Sequence, residues 1–394
     1  MKRTACALLA LAAAPCPLLA DEKPAARLEE LVVYGRAEQR IGSAHTASEG
    51  VVGYDDIELP PLLRVGELVE VVPGMVATQH SGTGKANQYF LRGFNLDHGT
   101  DFAAYAEGVP LNMRSHGHGQ GYLDLNFLIP ELVRTAAYRK GPYAADVGDF
   151  SSAGNVEFSF YDRLPETLLS LTLGEERYGR ALLAGSAGVG SGVLTSALDV
   201  TRYDGPWTLE ENLRQDKVYL SYAVPLGGAD LKVTLQGYEG EWDATDQIPQ
   251  RAVEQGLIDP LGFIDPDLGG DTQRYALTAS ASFTGWKLSA YAIDYDFALI
   301  SNFSYFLDDP VQGDEFVQRD DRRVYGLDVG GDWLGMLGNR ALTVHWGGEL
   351  RYDDVKQVGL FRSVAREPVG VVRRDALDEL SVGAFVEADL ELTT

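Results

Sequence analysis

From about residue 167 onward the apolar positions of this chain recur every second residue. In Leu231 to Tyr238, the set Leu231, Val233 and Leu235 alternates with Lys232, Thr234 and Gln236. In Tyr275 to Phe283, Tyr275, Leu277, Ala279, Ala281 and Phe283 oppose Thr278, Ser280 and Ser282. Leu342 to Tyr352 follows the same rhythm, and in Val382 to Leu392 the apolar set opposes Glu387, Asp389 and Glu391. Such alternation predicts strands with unlike faces, and each run is about the 9–11 residues that a tilted membrane strand needs. Less regular runs near 168–174, 178–186, 193–203, 217–225, 286–297 and 323–333 bring the expected strands to ten.

The connections alternate as well. Those around 187–192, 226–229, 284–285 and 334–339 are short and glycine-rich, whereas 204–215, 239–272, 299–321 and 353–378 read as long polar loops. A soluble β-sandwich also has alternating strands but no reason to sort its loops. A membrane barrel does, with tight turns on one side and long loops on the other. Tyr178, Tyr203, Trp207, Tyr219, Trp242, Trp286 and Trp333 lie near run ends, where interfacial girdles are expected. The fold class is therefore mainly β: antiparallel transmembrane barrel strands over 161–394, preceded by a small α/β domain.

That smaller domain is expected at 51–160. Asp55 and Asp56 suit a short helix, Leu62 to Val71 has helical spacing, and Pro73-Gly74 closes it. Strand-like runs follow at Gln88 to Leu91, Phe102 to Ala106, Val133 to Tyr138 and Asn155 to Phe160. Residues 21–50 form a polar tail broken by the island Leu31-Val32-Val33-Tyr34. Residues 1–20 read as a signal peptide, with Lys2 and Arg3 before an Ala/Leu stretch too short to span.

Charge narrows the function. With 33 basic and 58 acidic residues the net charge is −25, which opposes nucleic-acid binding, since that depends on neutralising phosphates. Cleavage after Ala20 would remove Lys2 and Arg3 and take −25 to −27. Both cysteines, Cys6 and Cys16, lie in the signal segment, so an exported chain would carry no thiol.

Several stretches together are similar to the N-terminal half of a TonB-dependent outer-membrane receptor. Glu29-Glu30-Leu31-Val32-Val33-Tyr34-Gly35 resembles a TonB box, and Val65 to Met75 resembles the plug helix that ends in Val-Pro-Gly. Leu91-Arg92-Gly93-Phe94, Ala106 to Asn112, Glu131 to Pro142 and Ser152 to Phe158 then follow in the family's order. The resemblance implies a plug within a barrel in the outer membrane of a Gram-negative bacterium. It implies a monomer contacting lipid, TonB with its inner-membrane energising complex as partner, and Glu30, Leu31, Val32, Val33 and Tyr34 as the TonB-binding segment. Arg92, Arg139 and Lys140 are the implied plug–barrel contacts. The implied function is energy-coupled uptake of a scarce solute, a ferric siderophore or other metal chelate first. The alternatives are a free-ion receptor, a surface binding module or a truncated, non-transporting remnant.

The chain departs from the family at Glu107, where Asp is usual, and at Arg139-Lys140 before Gly141-Pro142. It also supplies ten strands where about 22 are expected, and so reads as a fragment or a truncated product. Four of six histidines fall between residues 80 and 118. The resemblance makes His80, His98, Arg114, His116, His118 and Gln120 the substrate-binding set. His116 and His118, two apart on a glycine loop, are the candidate metal ligands. Asp308-Asp309, Asp320-Asp321 and Asp353-Asp354 read as solvated loop charge. No nucleophile elbow, P-loop or dinucleotide fingerprint is present, so neither catalysis nor a cofactor is expected.

Overall fold

A computed structural model describes residues 46, 48–57, 62, 64–80 and 82–392. The signal segment and Glu30 to Tyr34 lie outside the described residues. The first domain contains β1 (Glu49–Gly53), β2 (Met75–Thr78), β3 (Gln88–Leu91), β4 (Phe94–Asn95), β5 (Phe102–Ala106), β6 (Val109–Pro110), β7 (Val133–Lys140) and β8 (Gly154–Phe160). A sheet of order β1-β7-β8-β5-β6, with β5 and β8 parallel, packs beside the β2-β3-β4 sheet. The predicted helix before Pro73 forms as a 3-10 helix at Val65–Val71.

Ten strands follow in one antiparallel sheet, each paired with its sequence neighbours. They are β9 (Leu168–Leu173), β10 (Gly179–Val189), β11 (Gly192–Tyr203), β12 (Leu213–Leu226), β13 (Ala229–Asp243), β14 (Gly269–Phe283), β15 (Trp286–Ser301), β16 (Phe316–Leu337), β17 (Arg340–Val364) and β18 (Glu367–Leu390). No helix among the described residues is long and apolar enough to cross a membrane. Instead the sheet turns its apolar side outward. Val233 and Leu235 are 46% and 49% exposed while Thr234 between them is 4% exposed. Thr195, Asp199, Lys217, Ser221 and Thr272 are likewise buried against the plug, and Leu198, Val218, Leu220 and Leu277 are exposed. A water-soluble sandwich would reverse this polarity; a barrel in lipid requires it.

Three expectations need correction. The 353–378 segment is not a long loop, because β17 and β18 continue to a tight turn at Ala365-Arg366. Beyond the apolar band both faces meet water, so strands there lose their alternation without losing their hydrogen bonds. Trp242 and Tyr219 are not girdle residues; both are buried on the inner side. Asp320 and Asp353 are not solvated. They are fully buried and paired to Arg322 and Arg351.

Charged side chains reach from the wall to the plug. Lys232 Nζ on β13 lies 2.8 Å from both Glu107 Oε2 and Asp162 Oδ1. Glu107 and Gly108 sit at φ +55° and +83° in the turn between β5 and β6. The longer acid at 107 thus occupies the turn position and spans to the barrel. Arg180 bridges Glu131 and buried Asp199, and Lys217 Nζ donates to Leu128 O at 3.1 Å.

Candidate ligand site at the plug apex

The plug's apical loop, Met113 to Tyr122, is closed by a bridge between its end residues and lies level with the strand ends that feed the long connections. Asn112, buried just before it, is its anchor. Its Oδ1 accepts from Ala104 N–H, and its Nδ2 lies 3.0 Å from the carbonyls of Gly99, Phe102 and Gly121. From the wall, Arg322 grips Asp320 in a bidentate pair at 2.6 and 2.7 Å, and Arg351 grips Asp353 at 2.6 and 2.8 Å. Both also donate to plug carbonyls: Arg322 to Arg114 and Ser115, Arg351 to Asn112 at 2.9 Å. The buried pairs therefore clamp the loop backbone. Gly117 passes so close to β16 that a Cβ there would lie 2.7 Å from Arg319 O, so only glycine fits.

Within this frame the histidines separate. His116 is stacked on Tyr122, with ring centroids 4.1 Å apart and planes 7° apart. Its Nδ1 accepts from His118 N–H at 3.1 Å, which leaves Nε2 to donate to Tyr295 Oη at 3.1 Å. Both nitrogens are committed. His118 points elsewhere, as residues two apart on a tight loop can. Its Nδ1 lies 2.8 Å from Gln318 Oε1, and the Gln318 amide is oriented by donating Nε2–H to Gly117 O at 3.0 Å. His98 Nδ1 donates to Asn87 O at 3.0 Å. The Nε2 atoms of His98 and His118 then face one another at 3.2 Å. Sequence proximity suggested His116 with His118; the fold pairs His98 with His118.

His80 stands beside this pair, its ring centroid 5.3 Å from that of His98, and Asp97 Oδ1 is 3.7 Å from His98 Nε2. Asp97 at φ +50° and Ser115 at φ +48° hold strained backbone next to His98 and His116. Burial, then the Lys85 ammonium, pushes His80 down to about 4 and also lowers His98. Burial and His98 push His118 down to about 3. Burial, with Arg322, holds His116 well below the usual imidazole range. The cluster is uncharged at neutral pH, with lone pairs free on His98 and His118. Lys85, itself buried, is brought down to about 8 by desolvation against the pull of Asp246 and Asp97.

Arg114 lies apart from the histidines, paired with Asp149 at 2.7 Å and donating to Ser381 on β18. Gln120 is exposed. Arg139 makes its bidentate bond to Asp146 inside the plug, at 2.8 Å to each oxygen, while Glu387 of β18 supplies a more distant charge. Lys140 lies over the Tyr138 ring. Both Arg139 and Lys140 line an open cavity of about 1380 Å³, with Trp286 and His345 lining it from the wall. Arg92 is exposed at φ +54°, its N–H donating to Gly74 O. The sequence did not single out Tyr122, Asn112, Gln318, Tyr295 or Lys85. Asp265, Asp267 and Glu315 form an acidic group among the described residues, but Asn302 and the Arg366 N–H already bond its carboxylates.

Residues 43–155 match the family model of the TonB-dependent receptor plug domain. Solved structures with the same fold include the ferric citrate transporter FecA in its unliganded form, at 16% identity and TM-score 0.67 over 89% of this chain and 54% of that one. The copper transporter OprC gives 15%, 0.61, 88% and 52% in the same order. The ferric-catecholate import receptor Fiu from E. coli gives 12%, 0.63, 88% and 57%. This chain thus carries a TonB-dependent receptor plug domain and has the plug-and-barrel fold of TonB-dependent receptors. It spans about half the length of the solved receptors it matches.

Proposed function

We propose that the protein serves energy-coupled uptake of a metal chelate, a ferric siderophore first, across an outer membrane. The observation that carries this reading is a plug held inside an apolar-out wall, with a neutral histidine cluster at the end bearing the long connections. His80, His98 and His118 are the ligand-facing set, with His116 shaping the loop and Arg114 and Gln120 at its margins. Similarity to transporters of ferric citrate, ferric catecholates and copper supports a metal-bearing cargo. TonB would grip Glu30 to Tyr34, and force through that segment would act on a plug held to the wall by polar contacts, which can be exchanged for water. The protein acts as a transporter rather than an enzyme, as a monomer in contact with lipid. Deleting Glu29–Tyr34 from the intact receptor should abolish uptake and leave ligand binding unchanged; parental uptake by the deletion variant would refute the coupling.

A further inference from the structure

We propose that His98 and His118 directly ligate a borderline divalent transition ion, of the Zn²⁺, Cu²⁺ or Ni²⁺ class, through their facing Nε2 atoms. This narrows the transport reading above to a bare ion or an open chelate, since a siderophore that fills its iron's coordination sphere could not be ligated here, and it rests on that reading only for the metal's role as cargo. Each ring has its Nδ1–H donated to an oxygen, Asn87 O for one and Gln318 Oε1 for the other. That arrangement is the one that fixes tautomer and aim in metal-ligating histidines. With Nδ1 the hydrogen-bearing nitrogen of each ring, the two Nε2 atoms stand 3.2 Å apart with no hydrogen between them, and with ring centroids 4.7 Å apart and planes 54° apart the rings meet at an angle, not head-on. Two nitrogens bound at about 2.0–2.1 Å to a tetrahedral ion lie about 3.3–3.4 Å apart. The empty pair is already at that bite.

Asp97 Oδ1 lies 3.7 Å from His98 Nε2 on an exposed side chain, but it does not complete a three-ligand group with the two imidazoles, so the pair itself supplies two ligands. The remaining positions stay open to water or to a labile chelator. Lys85 opposes a cation here, and the carboxylates of Asp97 and Asp246 offset it. His116, with both nitrogens spent, is not a ligand, so the site differs from the His116 and His118 pair that spacing suggests. A bare ion and an open chelate share this inner-sphere chemistry, whereas a metal caged by six donors cannot use it.

The test uses the tag-free full chain folded in detergent. Stoichiometric Cu²⁺ should give an electron paramagnetic resonance spectrum with coupling to two imidazole nitrogens, and a spectrum without nitrogen coupling would overturn the proposal with no variant needed. In competition titrations with Zn²⁺, His98→Gln and His118→Gln should each weaken binding by about tenfold or more, while His345→Gln leaves it unchanged. Parental affinity in both ligand variants would sink the site. A parallel arm offers the same metal as its EDTA complex: no binding is expected, and equal capture of the caged metal by parent and His118→Gln would mean outer-sphere recognition and overturn direct ligation. Failed uptake by a parent that binds metal would count against the transport reading alone, and a parent that takes up chelate but binds no metal would count against this site alone.

Discussion

The indole of Trp242 occupies the space that a Cβ on Gly84 would need. One residue belongs to the plug and the other to β13, so the two surfaces meet here without room for a methyl group. Gly84→Ala should force the ring or the plug loop aside and destabilise the protein by about 1–3 kcal/mol, the usual cost of overpacking. A thermal melt in detergent checks it, and Trp242→Leu in the same chain should restore part of the loss.

The Arg322 guanidinium is buried between Asp320 and Asp353 and also bonds two plug carbonyls. Arg322→Met would leave Asp320 uncompensated in the interior, while Asp353 keeps Arg351, a loss of about 3–5 kcal/mol for a broken buried pair. Replacing Arg322 and Asp320 together with apolar residues should cost less than Arg322→Met alone. Chemical denaturation of the three chains decides it; a double variant weaker than the single one would show that the clamp matters more than the stranded charge.

Asn112→Ala removes one acceptor and two donors from a buried hub. The Ala104 N–H and the carbonyls of Gly99, Phe102 and Gly121 would lose their partner. Each unsatisfied buried group costs about 1–3 kcal/mol, so the apical loop should open before the rest of the plug. Hydrogen exchange should show faster exchange at residues 99–122 with little change in β7 and β8.

Burial pushes Glu157 up to about 7, with Glu107 reinforcing the shift and Lys287, Arg139 and the Gly108 N–H opposing it. An acid whose folded pKa is raised contributes its stability fully below the unfolded value of about 4.3 and loses it as pH rises through the folded one. Stability should therefore fall between pH 4.5 and 7.5 on account of this group. Glu157→Gln keeps the acceptor for Gly108 N–H and should flatten that part of the profile, raising stability at pH 8 and leaving it unchanged at pH 4. An unchanged slope in the variant would assign the pH dependence to other groups.

The barrel strands were legible because lipid demands an apolar residue at every second position, and parity even contained what inspection of run ends missed. Trp242 shares the parity of Lys232, Thr234 and Tyr238, the inner face, so counting along β13 places it against the plug. Asp320 and Arg322, like Arg351 and Asp353, are two apart in a strand and thus on one face, a pattern that distinguishes an interior pair from loop charge. Of the plug strands, β3, β5, β7 and β8 were found nearly to the residue, whereas β1, β2 and the two-residue β4 and β6 were not expected. The apical site was not legible in the same way. His98 and His118 are twenty residues apart, and the groups that orient them, Asn87 O and Gln318, carry no signature in the chain; Gln318 is 200 positions from its partner. The eye joins His116 to His118, but a tight loop turns alternate side chains apart.

Strands β16, β17 and β18 run for 22, 25 and 24 residues. At about 3.4 Å per residue and a tilt of about 45°, β17 rises roughly 60 Å along the barrel axis, against an apolar band of about 25 Å. This side of the molecule therefore stands above the bilayer as a hydrogen-bonded parapet, kinked by register shifts near Asp321, Val355 and Phe361, while the connections at 244–268 and 302–315 lack that bracing. A protease added to intact cells should nick those two connections well before it cuts at Ala365-Arg366, where Arg366 is tied to Asp243, Glu315 and the carbonyls of Asp267 and Leu268.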